Sequence, residues 1–174
     1  MIFRRLKSIN NNQRAFTLIE IVVILAITSL IGVGTATATV QTLTQSSRNT
    51  DFTTASRQVL NAIHWLSRDA QMAQTVEPDG ASGFPLTLTW VEWDNTTHQV
   101  VYTIEDTSMK RSYSVDGGEP TEMVVAQNIN PETPLTNCEF AGWVLTVKVT
   151  ATLGQGANAV SVTKVREIAP RPGL

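Results

Sequence analysis

The residues of this chain able to do charged chemistry are few, and the least comfortable of them is Glu20. It stands in Phe16-Thr17-Leu18-Ile19-Glu20, at the head of an apolar run that continues to Gly34. The run's only other polar members are Thr17, Thr28 and Ser29. An ionised side chain at the centre of a membrane-spanning helix costs about 2.5–3.5 kcal/mol on insertion scales. Glu20 lies nearer the end of the run, so its cost is smaller. A carboxylate in apolar surroundings still calls for a partner. Immediately before the run, residues 1–15 carry Arg4, Arg5, Lys7 and Arg14 and no acid. A short basic stretch ahead of an apolar segment marks the cytoplasmic side of a membrane span.

The other reactive side chains carry less. Cys138 is the single cysteine, so no intrachain disulfide forms, and it reads as a small buried apolar residue. His64 and His98 are the only histidines, and nothing in the sequence places either beside that thiol. Asp116, Glu119 and Glu122 flank Gly117-Gly118, yet their spacing fits no EF-hand loop, so a solvated turn is expected there rather than calcium. Trp65, Trp90, Trp93 and Trp143 read as core or sheet-face packing. The sequence has no G-x-S-x-G elbow, phosphate loop or H-E-x-x-H pair. No cofactor or metal is implied, and no residue is assigned to catalysis. The formal net charge of −2 shows no nucleic-acid footprint. Without the four leading cations, nine Lys and Arg face fifteen Asp and Glu, a formal −6. The basic head of the chain is thus distinct from its body.

These residues need elements to position them. Residues 16–34, as a helix, span roughly 28 Å at about 1.5 Å per residue, the thickness of a bilayer core. Residues 35–50 are rich in Thr, Ser and Ala. From Phe52 the positions Phe52, Ser56, Val59, Ile63, Leu66, Ala70 and Ala73 form one stripe of a helix, with Arg57, Arg68 and Asp69 off it. Glu77-Pro78-Asp79-Gly80 stops the helix. Strands are expected where Leu86, Leu88 and Trp90 alternate with polar neighbours, around Val100, Tyr102 and Ile104, and over 109–115. Two more are expected along Trp143, Leu145, Val147 and Val149 and over 159–168. A mixed stretch follows Asp116-Gly117-Gly118, in which Pro120, Pro131 and Pro134 exclude long regular elements. The fold class is α+β: one long helix covering a face of an antiparallel meander. The segments are 1–15, a basic leader; 16–34, a transmembrane helix; 35–76, its amphipathic continuation; and 77–174, a β-rich head.

The stretch R-A-F-T-L-I-E-I-V-V-I-L-A-I, from Arg14 to Ile27, resembles the signature of type IV prepilins and type II secretion pseudopilins. That resemblance implies a pilin-like fold and a structural, non-enzymatic subunit of a filament. It implies cleavage by a prepilin peptidase between Ala15 and Phe16, with the leader removed, and N-methylation of Phe16. It gives Glu20 the role of meeting a neighbouring subunit's terminal amine. The family usually has Gly where this chain has Ala15, which adds only a methyl. The implied partners are the peptidase, other pilin or pseudopilin subunits and the inner-membrane assembly platform. The implied location is the cytoplasmic membrane, single-pass with the head outside, and then an extracytoplasmic filament. The helix ending in Leu66-Ser67-Arg68-Asp69-Ala70, and Val124-Val125-Ala126-Gln127-Asn128-Ile129 later, are similar to larger minor pilins and J-type pseudopilins. Gly32 and Gly34 lie where pilin helices can loosen.

Two other readings of the residues stand beside this one. Ala36-Thr37-Ala38 behind an apolar run is the pattern of a conventional signal peptide, giving a secreted protein that starts at Thr39. The run, however, exceeds the usual h-region of about 7–15 residues and contains Glu20. An uncleaved single-pass anchor carrying a binding domain would keep Met1.

Overall fold

In the computed structural model, residues 17–80 and 82–171 are described. They form a helix α1 (Leu18–Met72) and eight strands, β1 (Thr75–Glu77), β2 (Leu86–Val91), β3 (Thr97–Glu105), β4 (Ser108–Val115), β5 (Thr121–Ala126), β6 (Asn137–Ala141), β7 (Val144–Leu153) and β8 (Val160–Ile168). The chain divides into two compact units, Met1–Gln45 and Ser46–Leu174.

In the first unit, α1 exposes Leu18, Ile19, Ile21 and the apolar residues after them through Val33. Gly32 and Gly34 are helical like their neighbours. The hydroxyls of this stretch turn inward on the helix itself. Thr28 donates to Ile24 O at 2.9 Å, Ser29 to Leu25 O at 2.7 Å, and Thr35 to Ile31 O at 3.1 Å. Thr37, Thr39, Thr42 and Thr44 each donate four residues back in the same way. Such bonds satisfy a hydroxyl without water, which lets Ser and Thr sit in a helix bound for an apolar medium.

In the second unit, α1 buries Ala55, Val59, Ala62, Leu66, Asp69 and Ala70, with Ala73 just beyond its end. They join one core with Leu86, Leu88, Val100, Tyr102 and Met109 from the first sheet and Leu145, Val147 and Val149 from the second. The buried face is rotated from the stripe expected from the sequence. Phe52 is 55% exposed and Ile63 only half-buried. The reason is size: a line of alanines lets the helix lie close to the strands, while a Phe at its margin stays outside.

Asp69 is the larger correction. Expected off the stripe, it is 2% exposed. Tyr102 on β3 donates its hydroxyl to Asp69 Oδ2 at 2.6 Å. Arg111 on β4 donates Nε–H to the same oxygen at 2.6 Å and Nη2–H to Oδ1 at 3.2 Å. Burial, then the neighbouring Asp69 charge, pushes the Tyr102 hydroxyl far above its ordinary titration range. The Arg111 guanidinium also lies over the Trp65 ring at 5.3 Å and the Tyr113 ring at 5.1 Å.

The helix ends at Met72, short of the expected Val76. Gln74 N–H already donates to Thr89 O at 2.8 Å, and Thr75 pairs with Thr89. The β-branched Thr75 and Val76 take a strand edge in preference to another helical turn. The strands make two antiparallel sheets, not one: β1-β2-β3-β4-β5 and β6-β7-β8. The mixed stretch holds only the short strands β5 and β6, and the prolines at 120, 131 and 134 lie outside both. The β7 strand begins at Val144, since Gly142 (φ 59°) and Trp143 (φ 65°) make the two-residue turn between the paired Ala141 and Val144. Positive φ at both central residues suits a hairpin turn. Trp65 is half-buried and Trp90 buried, as packing residues are. Trp143 is 71% exposed and Trp93 93%, so neither packs as expected.

Two outcomes follow. The fragment from Ser46 onward is expected to be soluble and monomeric with one cooperative urea transition, because its core lies wholly within it. In that fragment Asp69→Ala should lower stability by about 3–5 kcal/mol, the cost of leaving a buried charge unpaired. A loss under about 1 kcal/mol would show that the Tyr102 and Arg111 contacts do not hold the helix down.

Candidate functional site

Of the residues marked out by the sequence, Ala15 and Phe16 lie outside the described residues. Glu20 lies in the first turn of α1. Its amide donates to Thr17 O at 3.0 Å, closing that turn. Its side chain is exposed, and among the described residues no hydrogen bond or ion pair engages it. Acid in a first turn is favoured by the helix dipole, a fraction of a kcal/mol that falls off within the turn. That does not replace a counter-charge once water is removed.

Around Glu20 the surface is continuous and apolar. Leu18, Ile19, Ile21, Val22, Val23, Ile24 and Leu25 are all exposed. An exposed apolar band of this length is not stable in water. The helix is long and apolar enough to cross a membrane. Within residues 18–45 Glu20 is the only charged side chain. The arrangement is an exposed apolar helix with a single carboxylate in its first turn.

The remaining candidates resolve as structure. Cys138 is 1% exposed, and its thiol donates to Gly83 O at 2.7 Å. His64 is exposed on the helix, edge-on to Trp65. His98, Trp90 and Tyr113 stack on one another, with centroid separations of 5.2 Å for His98–Trp90, 5.9 Å for His98–Tyr113 and 6.3 Å for Trp90–Tyr113, and His98 Nδ1 lies 2.7 Å from the Tyr113 hydroxyl oxygen. Asp116 accepts from Thr97 N–H at 2.7 Å, which ties the β4–β5 turn to the start of β3. Among the described residues no group of three or more His, Cys, Asp or Glu is placed to hold a metal ion. The sequence reading missed the Asp69–Tyr102–Arg111 cluster. The one available sign was an acid one step from an apolar stripe, and its partners lie 33 and 42 residues away.

Residues 10–36 match a family model described as the prokaryotic N-terminal methylation motif. The match covers the Arg14–Glu20 stretch and the whole apolar run to Gly34. No curated protein and no solved structure matches the chain.

The enclosed thiol gives a direct check on the head. Burial pushes Cys138 up to about 11 from an ordinary value of 9.0. A folded value above the unfolded one means that this contribution to stability is whole below pH 9 and fades as pH rises through about 11. Cys138 should therefore resist iodoacetamide at neutral pH in the native chain and label fully in urea. Rapid native labelling would contradict the enclosed position.

Proposed function

We propose that this chain, which carries the type IV prepilin-like signature over residues 10–36, is a minor pilin or pseudopilin: a structural subunit of a type IV pilus or type II secretion-like filament. The observation that carries the reading is the register of Glu20. It sits in the first turn of an exposed apolar helix, within the matched motif, with no counter-charge among the described residues. The motif's family is structural, and no step of bond chemistry is assigned to this chain.

In this reading a prepilin peptidase cuts between Ala15 and Phe16, and Phe16 is N-methylated. The chain first resides in the cytoplasmic membrane as a single-pass protein, its cationic leader inside and its head outside. It then passes through the inner-membrane assembly platform into a filament with other pilin or pseudopilin subunits. When apolar helices bundle and exclude water, Glu20 meets the terminal amine of a neighbour. An ammonium and a carboxylate about 4 Å apart attract by about 1 kcal/mol in water and about 4 kcal/mol at an effective dielectric constant near 20. Bundling thus strengthens the contact that sets its register.

The mature chain is expected to begin at N-methyl-Phe16, read by intact mass and N-terminal sequencing from the native host. A start at Thr39 or Met1 would overturn the reading. A bulky residue in place of Ala15 should block cleavage. Glu20→Val should leave insertion and cleavage intact and deplete the subunit from filaments, measured by co-purification with the host's other pilins. Normal incorporation of a correctly cleaved variant would remove Glu20 from the docking mechanism.

A further inference from the structure

The β2–β3 turn displays an indole that its own packing does not explain. Glu92 N–H donates to Thr96 O at 3.0 Å, Asn95 N–H to Glu92 O at 3.1 Å, and Thr96 N–H to Asp94 Oδ1 at 3.0 Å. Those bonds close the turn, and the Thr96 amide holds the Asp94 carboxyl below its usual range. The turn is therefore built, yet Trp93 within it is 93% exposed. An indole held in water on an ordered turn is a feature of recognition surfaces, where its apolar face and polar N–H are both available.

Beside it opens a cavity of about 500 Å³. The end of α1 contributes Gln71 and Met72, β2 contributes Trp90, the turn contributes Glu92 and Trp93, and Arg171 follows β8. One wall is fixed by a side-chain clamp: Val91 N–H donates to Gln74 Oε1 at 3.1 Å and Gln74 Nε2 to Val91 O at 3.4 Å. The volume falls in the range of small-molecule sites, and a mostly apolar lining with a few polar groups is their usual make-up. Glu92 and Arg171 give the cavity no net formal charge, so a strongly charged ligand meets a like charge as well as an opposite one. The planar amide, carboxylate and guanidinium are the groups that take both donor and acceptor hydroxyls. Trp93 presents a flat apolar face to solvent, while Trp90, buried and stacked on His98, forms part of the wall. A neutral ring with hydroxyls on its rim and C–H bonds on its face satisfies both sets at once.

We propose that this cavity is a carbohydrate site that holds a neutral pyranose stacked on Trp93. The site lies in the head and does not depend on the filament reading. The full chain in micelles of a phosphocholine detergent, which carries no sugar, would be titrated with lactose, maltotriose, cellotriose and chitotriose by saturation-transfer NMR. At least one should bind with a Kd of about 1 mM or tighter. Trp93→Ala should weaken that binding by about tenfold or more, the loss expected for an aromatic anchor, and Glu92→Gln should weaken it less. Trp143→Ala, equally a surface indole, should leave it unchanged. The absence of saturation by every probe below about 10 mM would overturn the proposal. So would Trp93→Ala binding like the parent, or Trp143→Ala losing as much.

Discussion

A buried carboxylate, held by a hydroxyl and a guanidinium, decides how the head is assembled. Asp69 is the one ionised group on the core face of α1, and it reaches β3 through Tyr102 and β4 through Arg111. Apolar burial alone is tolerant of sliding, because alanines and leucines pack acceptably in several registers. A charge pair is not tolerant: displacing the helix by one turn would strand a carboxylate and a guanidinium in the core. The pair therefore selects one docking of helix on sheet. The stack of Trp65, Arg111 and Tyr113 then builds outward from it.

The same helix carries a second acid under the opposite condition. Asp69 has its partners inside the chain, whereas Glu20 has none among the described residues. In water the difference would be small, since an exposed carboxylate is solvated. Glu20, however, stands among exposed Leu, Ile and Val side chains that water does not favour. Whatever covers those side chains also desolvates the carboxylate. The apolar surface and the unpaired charge therefore make one joint demand, and in the filament reading both would be met by a partner that brings apolar side chains together with a cation.

What could be read from the sequence was what depends on neighbours in sequence. The apolar run, and the alternation of Leu86-Leu88-Trp90, Val100-Tyr102-Ile104 and Leu145-Val147-Val149, are local patterns: the run is helical from Leu18, and the alternating segments are strands with their expected inner faces. What escaped depends on distant residues. Asp69 reads as solvent-facing until Arg111 is placed beside it. β1 and β5 are short and take their form from the strands they pair with. The division into two sheets is a matter of which strand edges meet, and alternation does not encode it. Trp93 and Trp143 misled because an aromatic residue is taken to be packed until the turn that displays it is seen. Glu20 was legible as a candidate because its context is local: a charge inside an apolar run. The proposed cleavage and methylation at Ala15 and Phe16 rest on the motif alone, which residues 10–36 match.

The threonines of α1 bear on why one charge is enough in the filament reading. Hydroxyls along a membrane helix often bridge to neighbouring helices. Here Thr28, Ser29, Thr35, Thr37, Thr39, Thr42 and Thr44 spend their protons on their own helix, so they add small, self-satisfied surface and few directional contacts. A rod of that kind packs closely but does not specify where along its length a neighbour must stop. In coiled coils a single buried polar residue fixes register for the same reason. On this rod Glu20 is the sole charged group between Leu18 and Gln45. In the filament reading it alone would separate the correct stagger from its translated alternatives by several kcal/mol, as expected when a buried ion pair is made or left unmade. In the same reading the self-contained hydroxyls would belong to the specificity, because they keep the rest of the surface from offering competing polar matches.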